Sequence, residues 1–242
     1  VKRRNLYWTA RAVSKTGDYK KSRKIYREMV NDKPFGYYGA WAWARLGGEP
    51  PGGVGPKKPQ AHSVPGLSVR DVCIDRSREL AQMGLTQFAV RELSEFQREA
   101  ELDKRDHEAI ALLYQAYGDY YRARRTVWNY LEVDTERFSP RDLRYWKMLY
   151  PRPYMAEVGA LASERKIPPN LIWSIMKQES DFKTHAVSYA GAVGLMQLIP
   201  PTAEMMAKRL GLEDFRESDL RSPEINIRMG VNYLASVAES MG

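Results

Sequence analysis

Residues Met176–Ala203 read MKQESDFKTHAVSYAGAVGLMQLIPPTA. The approach to this stretch is an apolar helical pattern, Leu171, Ile172, Ile175 and Met176, entered through Pro168, Pro169 and Asn170. Proline at the start of a helix is pre-organised for the first turn, so a helix is expected there. Continuing the ridge by four residues from Ile175 reaches Glu179, which places a carboxylate at the helix end on the face expected to be buried. A carboxylate there is poorly hydrated in its charged form, which favours the protonated acid and suits it to donate a proton near neutral pH. In the loop that follows, Gly191 and Gly194 permit positive backbone dihedrals or close approach of a ligand. Gln197 offers donors and acceptors suited to sugar hydroxyls or amides.

Helical patterning extends over most of the chain. Leu6, Ala10 and Val13, then Tyr19, Ile25, Tyr26 and Met29, are spaced for two helices interrupted at Gly17–Asp18. Gly84 and Gly118 divide two further helical pairs, 34 residues apart, and Gly17 precedes Gly84 by 67, nearly twice that. About 34 residues is the period of tetratricopeptide-like helical hairpins, whose apolar faces are buried only by stacking on neighbours. Ser22, Ala89 and Ala123 each fall five positions after one of these glycines, where a small side chain lets paired helices approach. The expected fold is all-α: a helical-hairpin scaffold at 1–49 and 67–150, a Pro/Gly-rich loop or linker at 50–66, and a final helical domain at 151–242. Pro151 and Pro153 mark the second boundary.

Composition narrows the function classes. Residues 1–50 hold 12 Lys and Arg against 4 Asp and Glu, whereas the rest of the chain is nearly balanced, so the formal net charge of +8 lies almost wholly in the first fifth. Such an excess is either a solvated helix face or an attraction to a polyanion. No nucleic-acid-binding motif accompanies it, so nucleic acid is not expected as a partner. The single cysteine, Cys73, is expected to be a buried structural thiol. With it and only His62, His107 and His185 available, no metal site and no cofactor are expected. The longest apolar runs are far short of the ~20 residues of a membrane span. The chain opens at Val1 rather than at a methionine, which leaves room for a removed leader or a preceding segment.

Several short matches combine into a resemblance. They are QES at Gln178–Ser180, Phe182, AVS ending at Ser188, GAVGLMQL at Gly191–Leu198, PPTA at Pro200–Ala203 and SPEINIRMGVNYL at Ser222–Leu234. Together they resemble the catalytic domain of the soluble lytic transglycosylases, over about residues 150–234. The upstream helices resemble, more weakly, that family's superhelical scaffold. The resemblance implies a lysozyme-like domain that cleaves peptidoglycan glycan strands in the periplasm or cell envelope, with cell-wall or membrane association. It implies Glu179 as the catalytic acid and base, and Ser188 as a serine that helps hold substrate and intermediate. Gln197 and Thr202 are implied as groove residues, and Met196 as lining the cleft. Ser180, Gly191, Gly194 and Asn226 are implied as structural support. The family's AYNAG motif does not occur before Gly242, which implies that part of the groove wall lies outside this chain and that the chain as it stands need not be active.

Glycosidases commonly use two carboxylates about 5–9.5 Å apart. Asp181 lies two positions, about 200° of helix, beyond Glu179 and is expected to point away. Glu204, Glu213 and Asp214 could approach only through tertiary structure. The resemblance removes the need for a second carboxylate, because the muramyl 6-hydroxyl attacks internally and leaves a 1,6-anhydro end. Two alternatives stand beside it: a hydrolytic muramidase on the same fold, and a non-catalytic cell-wall-binding scaffold.

Overall fold

The computed structural model describes residues 2–33, 36–47, 72–137 and 139–241. The expected linker at 50–66 and His62 within it lie outside the described residues. Regular structure among the described residues is helical, with two isolated antiparallel bridges, Val187 to Val193 and Val193 to Leu198. The fold is therefore all-α, and it forms two compact units.

The first unit contains α1 (Lys2–Lys15), α2 (Tyr19–Asp32) and α3 (Tyr37–Leu46), together with residues 132–146. Tyr7, Ala10, Tyr26, Met29, Val30 and Ala42 form its core. Asp32, at the end of α2, accepts from Arg3 at 2.8 Å and from Arg137 at 3.2 Å, which ties the returning segment to the hairpin. Lys20, Lys21, Arg23 and Lys24 are exposed on α2. Their helix keeps Ser22, Tyr26, Met29 and Val30 on its buried side.

The second unit begins with α4 (Val72–Gln82), α5 (Thr86–Glu99), α6 (Lys104–Ala116) and α7 (Tyr120–Tyr130). These form two helical hairpins. Gly17, Gly84 and Gly118 occupy hairpin turns at φ of 90°, 76° and 78°, a left-handed conformation that a side chain disfavours. In two of the turns an aspartate follows and caps the next helix. Asp18 accepts from the Lys21 amide at 3.0 Å and Asp119 from the Arg122 amide at 2.8 Å. Ser22, Ala89 and Ala123 are all buried, as their spacing predicts. Ile74, Leu93, Phe96, Ile110 and Tyr114 fill the hairpin core. Cys73 packs against this core only half-buried, not fully buried as expected, because its neighbour Ile74 takes the inward position.

The same unit continues through the end of α8 (Leu143–Leu149) into α9 (Met155–Arg165), α10 (Pro169–Ser180), α11 (Pro200–Arg209) and α12 (Pro223–Met241). α12 serves two cores. Ile227 and Val231 join Val158, Ile172, Met176, Phe182 and Leu195. Met229 joins Val193, Leu198, Ala203, Met206 and Leu220 beneath α11.

Candidate functional site

The last turn of α10 carries Glu179. The buried line of this helix runs through Ile172, Met176 and Ser180, spaced by four. Ile175 is half-buried and Glu179, one turn further, is exposed. The expected burial of Glu179 is therefore not found. The ridge through Ile175 is the edge of the apolar stripe rather than its centre, and helical periodicity alone does not separate two adjacent ridges. No hydrogen bond or ion pair among the described residues engages the Glu179 carboxylate.

Ser180, its neighbour, turns the other way. Its hydroxyl lies 3.0 Å from the Met176 carbonyl and 2.9 Å from the Leu195 carbonyl, so one proton is shared between two acceptors. The second contact fastens the 186–198 loop beneath the helix end. That loop is folded back on itself. The Ser188 hydroxyl accepts from the Ala192 amide at 3.0 Å, and the Ser188 amide donates to the Ala192 carbonyl at 2.9 Å. Gly191 closes the turn at φ of 76°. Ser188 itself is exposed.

Gln197 takes a left-handed backbone, with φ of 49°. Its amide nitrogen donates to the carbonyls of Gly194 at 2.9 Å and Ala186 at 3.3 Å. The side-chain carbonyl is the group left to accept from a ligand. Met196 is 8% exposed. Its sulfur would sit 2.4 Å from a Cβ added at Gly230. Met196 thus packs largely against α12, where only glycine at 230 makes room for it. Thr202 is half-buried on the first turn of α11.

Asn226, 1% exposed, joins three strands of chain. Its Oδ1 accepts from the Met196 amide at 2.8 Å, and its Nδ2 donates to the Val193 and Leu220 carbonyls, each at 2.9 Å. A buried amide with every partner supplied is worth retaining, whereas removing it would strand three backbone groups. Gly194 lies against this amide. A Cβ there would meet Nδ2 at 2.1 Å and the Leu220 carbonyl at 2.4 Å.

Asp181 and Phe182 follow Ser180 at the end of α10, and both are left-handed, with φ of 52° and 65°. Phe182 is buried. Asp181 is paired at 2.7 Å with Arg124 of α7, so it does not face Glu179 as a second carboxylate. Glu204, Glu213 and Asp214 are all exposed. Burial, and then the nearby Arg124 charge, push the Lys177 ammonium below its ordinary pKa. Arg124 did not emerge from sequence reasoning, because its partner is 57 residues away and its own helix offers several arginines. Beyond Phe182, a cavity of about 600 Å³ is lined by Lys183, Thr184 and His185 together with Tyr121, Arg122 and Arg91. Lys183 Nζ lies 5.5 Å above the Tyr121 ring.

Residues 158–242 match the family model described as the transglycosylase SLT domain. The chain is 41% identical over 86 residues to a membrane-bound lytic murein transglycosylase C of Actinobacillus pleuropneumoniae, covering 35% of this chain and 24% of that protein. A namesake from Haemophilus influenzae is 39% identical over 87 residues, covering 34% and 24%. The chain thus spans about a quarter of the length of the curated relatives it matches. Among solved structures, the 70 kDa soluble lytic transglycosylase of Escherichia coli superposes with a TM-score of 0.69 at 22% identity, over 98% of this chain and 36% of that one, a likeness of fold alone. The lytic transglycosylase Slt of Pseudomonas aeruginosa, solved as an inactive glutamate-to-glutamine mutant, gives 0.64 at 25% identity over 99% and 37%. Residues 158–242 thus resemble the transglycosylase SLT domain in sequence, and the chain as a whole shares the fold of solved lytic transglycosylases.

Proposed function

We propose that this protein is a peptidoglycan lytic transglycosylase of the cell envelope, with Glu179 as its general acid and then its base. The observation that carries the reading is the exposed Glu179 on the last turn of α10, above a loop fastened by Ser180 and Asn226, inside the matched SLT segment. The inactive glutamate mutant of the Pseudomonas aeruginosa protein supports assigning the chemistry to a glutamate. On this reading residues 151–242 are the catalytic domain and the upstream hairpins its scaffold.

Glu179 gives its proton to the glycosidic oxygen between N-acetylmuramic acid and N-acetylglucosamine, and the bond to the muramyl anomeric carbon breaks. The substrate's own 2-acetamido group stabilises the cation that develops. The Glu179 carboxylate then accepts the proton of the muramyl 6-hydroxyl as that oxygen bonds to the anomeric carbon. The acid is restored, a 1,6-anhydro end forms and no water is consumed. An attacking group held on the same ring has an effective-concentration advantage over water. With Asp181 committed to Arg124, a mechanism needing one carboxylate suits the residues present. Reducing-end analysis of digested peptidoglycan tests this directly. Anhydro ends without free reducing sugar are expected, and free reducing ends would make the protein a hydrolytic muramidase instead.

Two further expectations concern binding. Gln197→Ala should weaken binding of a soluble glycan oligomer by about 0.5–1.5 kcal/mol, the net worth of one hydrogen bond. Ser188→Ala should lower turnover more than affinity. Calorimetric titration alongside turnover checks both, and wild-type values for either variant remove that residue from the groove. In the first unit, the exposed Lys20, Lys21, Arg23 and Lys24 should draw the protein to anionic wall polymer. Sacculus binding should then fall steeply as salt shortens the Debye length from ~10 Å at 0.1 M to ~3 Å at 1 M. Reversing the four charges should mimic added salt, and salt-independent binding would leave them as a solvated face.

A further inference from the structure

We infer that Arg124, on the hairpin helix α7, is a positioning residue for Glu179. Its guanidinium spans two chain segments at once. Nε donates to the Leu149 carbonyl at 2.9 Å, and Nη1 lies 2.7 Å from the Asp181 carboxylate. The Arg124 side chain is 11% exposed and that of Asp181 28%, so the pair is shielded from water and from salt.

What it holds is a strained turn. Asp181 closes α10 in the left-handed region and Phe182 repeats the conformation, with φ of 52° and 65°. Neither is glycine, so each residue sits in a sparsely populated backbone state that persists only where its surroundings impose it. Phe182 is held by burial in the core beside Met176 and Leu195. Among the described residues the Asp181 side chain is bonded to Arg124. The Asp181 and Phe182 amides donate back to the Lys177 carbonyl at 3.1 Å and the Met176 carbonyl at 3.4 Å, so the turn overlaps the helical turn that carries Glu179. Releasing Asp181 lets that turn unwind and swings the carboxylate. Lysine cannot replace the arginine fully, because one ammonium does not reproduce a planar fork reaching two acceptors.

The activity arm of the test rests on the transglycosylase reading, and a second arm does not. Two variants of the full-length protein are compared with wild type, Arg124→Gln and Asp181→Asn. Asparagine adopts the left-handed state readily, so the second variant removes the ion pair without adding backbone strain and serves if the first fails to fold. Hydrogen exchange at the amides of residues 181–183 should quicken by roughly tenfold or more in both. Turnover should fall by about 10–100-fold with KM almost unchanged, since a displacement of about 1 Å is enough for that loss. Arg124→Lys should recover part of it. Unchanged exchange in Asp181→Asn overturns the inference, as does faster exchange with wild-type turnover. A wild-type protein that releases no anhydro product sinks the transglycosylase reading instead, and exchange alone then decides whether Arg124 sets the turn.

Discussion

Glu179→Gln is expected to abolish measurable release of anhydromuropeptides from peptidoglycan while leaving the fold intact. The substitution preserves shape and hydrogen-bonding size but can neither donate the proton to the glycosidic oxygen nor take one from the 6-hydroxyl. Loss of general acid–base help costs about 10²–10⁴ in rate, and here one group is asked to serve both steps. Stability should not move, because the carboxylate is exposed and bonded to nothing among the described residues. Product analysis by mass spectrometry and a thermal melt, run on one preparation, separate the two effects. Near-normal anhydromuropeptide release would remove Glu179 from the chemistry. A large fall in melting temperature would show that it holds the fold as well.

Much of the helical architecture around the candidate site is legible in the sequence. Glycine spacing located the hairpin turns, and the small residues five positions on were buried as expected, because both follow from local geometry that repeats. Glu179 stands at a helix end, as the spacing predicts, but beside the buried ridge rather than on it. Ile175 and Met176 are equally apolar in sequence, and only tertiary packing decides that the line through Met176 and Ser180 faces the core. Met196 illustrates the same limit. An apolar residue in a glycine-rich loop can line a groove or fill a core. The deciding neighbour, Gly230, lies on a helix far along the chain. The Arg124–Asp181 pair could not be read at all, since an arginine on one helix gives no sign of which distant carboxylate it will meet.

Gly194→Ala is the second substitution expected to have a large effect, this time on stability. The added methyl would fall 2.1 Å from Asn226 Nδ2, 2.4 Å from the Leu220 carbonyl and 2.7 Å from Asn226 Cγ. None of these can step aside cheaply, because Asn226 is fully engaged with Met196, Val193 and Leu220. The backbone φ of 84° adds its own strain to any side chain. Overpacking and left-handed strain together suggest a cost of about 3–5 kcal/mol. For a protein of this size that is a fall in melting temperature of roughly 6–20 °C. Gly191 supplies the control. It shares the positive φ, at 76°, but a Cβ there meets nothing within 4 Å, so Gly191→Ala should cost only about 1 kcal/mol. Equal melting temperatures for the two variants would mean that the Asn226 contact is not what demands glycine at 194.

The guanidinium that braces Asp181 has a consequence for how this domain can be inherited or transplanted. The segment recognisable as an SLT domain begins at residue 158, whereas Arg124 lies upstream of it on α7. A gene fusion that carried only the recognisable segment into a new protein would leave Asp181 in its left-handed turn without its counter-charge. The recipient would have to supply a cation from its own helices at the same spot. A transplant that keeps this turn as it stands therefore extends back through α7 and includes the hairpin that precedes the matched segment.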